Sequence, residues 1–137
     1  MPFLDDIKDR LVAAGVGVYG TNIFLGSGAV IPPAPATGPF LHIREYGGSA
    51  PTRVHNESGA HTQRPTAQIV GIGASYQTTR AMVRAAYVAL DGVFNTTISG
   101  TFYQSITAKQ EPTDLDLEEG TNRRKIGFNI EAEKAPS

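Results

Sequence analysis

The run AQIVGIGASYQTTRAMVRAAYVALDG, residues 67–92, changes its hydrophobic period partway along. Ala67 to Gly73 packs Ile69, Val70 and Ile72 into a short apolar segment, which suits a strand covered on both faces near the middle of a sheet. Ser75 then offers an N-cap hydroxyl. From Tyr76 to Leu90 the positions Tyr76, Thr79, Val83, Ala86, Tyr87 and Leu90 fall on one side of a helix, while Gln77, Arg84 and Asp91 lie away from it. Ala81, Ala85, Ala86 and Ala89 raise helix propensity and permit close approach to a sheet or a neighbouring subunit.

Downstream, Val93 to Ile98, a Ser99-Gly100 turn and Thr101 to Ala108 read as a hairpin. Residues 111–124 form a polar connection with an acidic half and a basic end. Lys125 to Glu133 alternates strictly, with Ile126, Phe128, Ile130 and Ala132 inward and Lys125, Asn129, Glu131 and Glu133 outward. The polar tail, residues 134–137, is expected to be flexible.

Upstream, Phe40 to Tyr46 is strand-like, with Leu41 and Ile43 on one face and His42 and Arg44 on the other. The segment 47–65 carries three glycines and two prolines without periodicity and reads as a long loop; loops of that length in compact domains are usually functional or disordered. A proline-stiffened connection, residues 26–39, precedes Phe40, and Thr21 to Gly26 is a short β-rich run. Leu4, Ile7, Leu11 and Ala14 recur at helical spacing, with Pro2 at the entrance, Asp5 and Asp6 in the first turn, and Gly15 and Gly17 past the end. Each element has one apolar face to hide. The economical arrangement is α+β: a single mostly antiparallel sheet with two helices packed on one face, in the order α-β-β-β-α-β-β-β. The 137 residues are expected to form one domain.

Net charge is −1 with Lys and Arg thinly spread, so the electrostatic footprint of a dedicated nucleic-acid binder is missing. Only 18% of residues are charged, which leans towards assembly. The chain has no cysteine, which excludes a disulfide scaffold, a thiolate zinc site and a cysteine nucleophile. The N-terminal MPFLDDIKDR puts aspartates where a signal peptide needs positive charge, and no segment reaches the length of a membrane span, so a cytoplasmic site of synthesis is expected. The N-x-S/T triplets at Asn56 and Asn95 are therefore coincidental.

No chemical constellation stands out. GIGASY, residues 71–76, lies between strand and helix as a dinucleotide fingerprint would, but Tyr76 occupies the third glycine position; its plain reading is a strand end packed closely against a helix. His42, His55 and His61 match no compact metal motif, although His55 and His61 share the 47–65 segment with Glu57. Asp114, Asp116, Glu118 and Glu119 resemble half a calcium loop, with Gly120 one place too late. No G-x-S-x-G elbow is present. Neither a catalytic residue, a metal nor a cofactor is expected.

The stretches FLHIREYGG (40–48), RVHNE (53–57), residues 63–92, residues 98–120 and KIGFNIEAE (125–133), in that order, resemble the tail terminator proteins of long-tailed bacteriophages, also called minor capsid or tail completion proteins. The resemblance implies a structural virion protein rather than an enzyme. It would form a six-membered ring at the head-proximal end of the tail tube, stop tube growth and offer a surface for head-tail joining. The implied partners are other copies of the chain, the tail tube protein and the head-tail connector protein. DNA would pass through the lumen without sequence-specific binding, no membrane would be involved, and assembly would take place in the bacterial host cytoplasm. Interface candidates are Arg44, Arg53, His55, Glu57 and Arg64 around the 47–65 segment, with Asp114, Asp116, Glu118 and Glu119 as the opposing charges. A head completion or neck connector subunit, or a small cytoplasmic ligand-binding domain or enzyme, are the other readings.

Overall fold

The structure, a computed structural model, describes residues 2–26, 31–32, 38–53, 61–115, 117 and 123–134, with backbone alone for residues 46–53 and 61–62. Helix α1 (Pro2–Ala13) leads into β1 (Ile23–Leu25), β2 (Phe40–Arg53) and β3 (His61–Gly73). Helix α2 (Tyr76–Leu90) follows, and then β4 (Val93–Ile98), β5 (Thr101–Ala108), β6 (Thr113–Asp114) and β7 (Arg124–Lys134). The strands form a single sheet in the order β1-β2-β3-β7-β5-β4, with β6 beside β7. All pairings are antiparallel except β1 with β2. The α+β class and the two-helix arrangement agree with the sequence reading. The two-residue strand β6 was not expected, and it lies in the 111–124 stretch read as a polar connection.

The inward faces follow the pleat. Leu41 and Ile43 of β2, Ala67 and Ile69 of β3, and Ile126, Phe128, Ile130 and Ala132 of β7 are all buried in one cluster with Leu4, Ile7 and Leu11 of α1 and Val83, Ala86 and Leu90 of α2. Register ties the layer together: Gly71 stands opposite Ile126, Ile69 opposite Phe128 and Ala67 opposite Ile130. The β7 alternation therefore runs as its sequence indicated. On α2, Met82 belongs to the buried set, whereas Tyr76, expected on that side, is 40% exposed. Tyr76 is the first helical residue, and it borders a cleft with Asp114, Leu115 and Ile126.

Segment 47–65 is the main correction. Most of it is strand: β2 continues to Arg53 and β3 begins at His61, with Thr52 opposite Thr62 and Arg53 opposite His61. Register shifts between Tyr46 and Ser49 and between Ser49 and Thr52 absorb the Gly47-Gly48 pair and Pro51. Ladder bonds join backbone groups and are indifferent to side-chain period, so a stretch without alternation can still pair once its neighbour is in place. Residues 54–60, at the tip, lie outside the described residues. In the tail, Lys134 closes β7 and residues 135–137 lie outside the described residues.

The 98–101 hairpin matches its expected ends. Ser99 (φ 49°) and Gly100 (φ 87°) both adopt positive φ, the requirement of the two-residue turn whose twist suits a tight hairpin. Ser99 Oγ donates to Asp9 Oδ2 at 2.5 Å, fastening this turn to α1. Within β4, Asn95 has φ 46° and sits opposite a bulge that shifts β5 against β7 between Tyr103 and Ser105. Asparagine tolerates this conformation better than most residues. The irregularity lets Val93 and Ile98, five residues apart, both face the core, which strict alternation would forbid.

A polar contact also pins α1 to the sheet. Tyr103, fully buried, donates its hydroxyl to Asp6 Oδ2 at 2.7 Å, and Asp6 is itself 5% exposed. Burial, reinforced by the Asp6 carboxylate, pushes the Tyr103 phenol far above its ordinary value. Tyr103→Phe is expected to cost about 1.5–3 kcal/mol, the range for a hydrogen bond to a charged group. The pH dependence has a definite sign. Below about pH 10 the phenol is protonated whether the chain is folded or not; above it only the unfolded chain loses the proton. The folded state then binds more protons, so its stability falls as pH rises. Urea unfolding from about pH 8 to about pH 11 should show this decline, and the Tyr103→Phe chain should lack the Tyr103 share of it.

Candidate interaction surfaces

Side chains that point away from the helices build the outer face of the sheet. Phe40, Val70 and Ile72 form an apolar floor that is nearly covered (8%, 7% and 5% exposed). Arg123 supplies part of the cover: its guanidinium lies 5.8 Å from the Phe40 ring centre and donates to the Pro32 carbonyl at 2.8 Å. Beside this floor is a cleft of about 190 Å³ bordered by His42, Arg44, Gln68, Leu115 and Lys125. Arg44 is oriented from below, donating from Nε (3.1 Å) and Nη2 (2.8 Å) to Gln68 Oε1, its partner across the β2–β3 ladder. His42 Nε2 donates to the Gly26 carbonyl at 2.6 Å, which links β2 to the end of β1. A smaller cleft of about 180 Å³ shares the Leu115 and Lys125 wall and adds Tyr76, Asp114 and Arg124.

These positions redraw the candidate charges. Strand β6 pairs with β7, Asp114 standing opposite the inward-facing Ile126, while the next residue, Leu115, borders the Arg44 cleft on the outer face. Arg44 and Asp114 thus lie on opposite faces of the sheet. Arg64 lies 3.5 Å from Glu133 of β7, a pairing that sequence spacing did not suggest, and its Nε is buried with no hydrogen-bond partner among the described residues. Arg53 is placed only as strand backbone. His55, Glu57, Asp116, Glu118 and Glu119 lie outside the described residues. Among the described residues no group of three His, Cys, Asp or Glu is placed to hold a metal ion. No helix among them is long and apolar enough to cross a membrane.

Two apolar surfaces were not among the candidates. On the helix layer, Ala14 and Val16, just past α1, and Ala81, Ala85, Val88 and Ala89 of α2 line a groove of about 570 Å³, with Arg84 on its wall. The helices are held together beneath it by Arg10 Nε, which donates to the Ala89 carbonyl at 3.2 Å. Val88 is 66% exposed. On the far side of the sheet, Phe94 and Phe102 are 66% and 40% exposed, each next in sequence to a core residue, Val93 and Tyr103. The alanine-rich α2 sequence did signal close approach. Ala86 meets the sheet, while Ala81 and Ala85 stay exposed on the groove.

The fold and these surfaces define a single-sheet α+β domain with exposed apolar side chains on both of its layers. No family model matches the chain, and no curated protein matches it. Among solved structures, its fold is shared with a chain of the virion of a native gene transfer agent particle. The TM-score is 0.57 at 16% sequence identity, covering 95% of this chain and 92% of that one.

Proposed function

We propose that this chain is a structural protein of a phage-like virion. In this reading it forms a ring, a hexamer, that caps the head-proximal end of the tail tube, ends tube polymerisation and offers a surface for head-tail joining. The observation that carries the virion part is the fold correspondence with a virion chain, which spans 95% of this chain and 92% of that one. The tail-terminator resemblance of residues 40–48, 53–57, 63–92, 98–120 and 125–133 supports the capping role. The β2–β3 arm supports it too, since its paired backbone reaches Arg53 and His61, well beyond the β1 pairing that ends at Ile43.

The partners in this reading are other copies of the chain, the tail tube protein and the head-tail connector protein, with DNA passing through the lumen unread. The net charge of −1 fits that passage, because a strongly basic lumen would retain DNA. The arm and the Arg44 cleft are the surfaces offered to the tube and the connector. The test is to add purified protein to tail tube protein as it polymerises. Tubes of bounded length, each with a ring at one end in negative-stain images, are expected. Tubes that grow without limit and carry bare ends would overturn the capping role, and binding to heads alone would make the chain a neck subunit.

A further inference from the structure

Phe94 and Phe102 project from the sheet face that turns away from the helices. Direct opposition in the ladder places Phe94 with Ser105 and Phe102 with Thr97, while their neighbours Val93 and Tyr103 face the core. Neither ring stacks on another aromatic ring among the described residues, in contrast to the Phe3–Tyr103, Phe24–Phe40 and Tyr87–Phe128 pairs. Together the two rings leave about 200 Å² in water, taking about 200 Å² for a whole aromatic side chain. The groove between Val16 and Val88 lies on the opposite layer of the same molecule, is lined by small apolar side chains, and at about 570 Å³ is roomy enough for bulky side chains.

A projection on one layer and a recess on the other cannot meet within a single chain. They can meet between copies, and because the two surfaces differ the contact is head-to-tail, the kind that closes into a ring when its rotation allows. Charge agrees with this pairing. Arg80 and Arg84 are the only charged residues of α2, and Arg84 walls the groove. Beside the aromatic pair, Glu133 stands opposite Ser105 and Glu131 opposite Thr107, both on the outward face. Each already has a cation of its own chain, Arg64 at 3.5 Å and Lys109 at 3.9 Å, so that Arg84 of the next copy would join an existing ion pair.

We infer that the contact between neighbouring copies seats Phe94 and Phe102 of one chain in the Val16–Val88 groove of the next, with Arg84 turned towards Glu131 and Glu133. This inference rests on the ring reading above and names the two surfaces that meet. The aromatic rings act as anchors, and the remainder of a stable interface, about 1,200–2,000 Å² in total, comes from the surrounding faces.

The chain's lack of cysteine makes the test clean. Thr97→Cys, opposite Phe102 on the outward face, and Val88→Cys are prepared separately and as a double variant, both at exposed positions that leave the two rings in place. Each concentrated protein is then treated with a short thiol-reactive cross-linker. Neither single variant should dimerise alone, their mixture should give a cross-linked dimer, and the double variant should give a ladder that stops at the ring size. Phe94→Asp should weaken self-association about tenfold or more, as loss of an interface anchor does. A dimer from Thr97→Cys alone, or no cross-link in the mixture, would overturn the inference. Bounded tubes without these cross-links would leave the capping role standing and remove only this contact. Cross-links without bounded tubes would do the reverse.

Discussion

Phe128→Ala is expected to lower the free energy of unfolding by about 3–5 kcal/mol, the largest effect of any single substitution considered. Phe128 is 1% exposed and lies on β7, the strand between β3 and β5 in the middle of the sheet. Its ring meets Tyr87 of α2 edge-on, with centroids 5.5 Å apart and planes at 81°. Truncation would remove this contact between the layers and leave a cavity that the flanking strands, fixed by their ladders, cannot close. Urea unfolding monitored by circular dichroism reads the loss. A cost below about 1.5 kcal/mol would show that the middle of the sheet is packed more loosely than described.

The second large effect belongs to Gly71. A β-carbon added there would overlap Val83 Cγ2 and lie 3.3 Å from Thr79 Cγ2, because α2 crosses the sheet directly over this residue. Gly71→Ala is therefore expected to cost about 2–3 kcal/mol, the upper part of the range for overpacking. Val83→Ala removes the clashing methyl at a cost of its own. The double variant should be more stable than the sum of the two losses implies, by about 1 kcal/mol or more. Strict additivity would mean that helix and strand do not touch at this point. The same geometry accounts for GIGASY: its glycine serves helix–sheet contact, as the sequence reading had it. Gly73 repeats the arrangement under Thr79 and Pro39.

Helix α2, the 93–108 hairpin and β7 were legible because each has a clear side-chain period and firm punctuation at its ends. The arm was not. Residues 47–65 lack alternation, and their strand state comes from hydrogen bonding between β2 and β3, which no single segment displays. The charge candidates were similarly limited. Linear order separates Arg44 from Leu115 and Arg64 from Glu133, while β6 and β7 bring each pair onto one surface. Phe94 and Phe102 carried a weak signal, as large apolar residues next to inward-facing ones, but the irregularity at Asn95 reverses the alternation needed to read it.

The α+β class, the two helices and the inward set of β7 were determined by the sequence itself, because burial of one apolar face imposes a period on each element. The strand order, the β2–β3 arm, the Arg44 cleft and the groove between residues 14–16 and 81–89 were decided only in the tertiary structure. Surfaces of this kind are shared by segments far apart in the chain, and which residues meet there depends on ladder register and on how closely α2 can settle over Gly71.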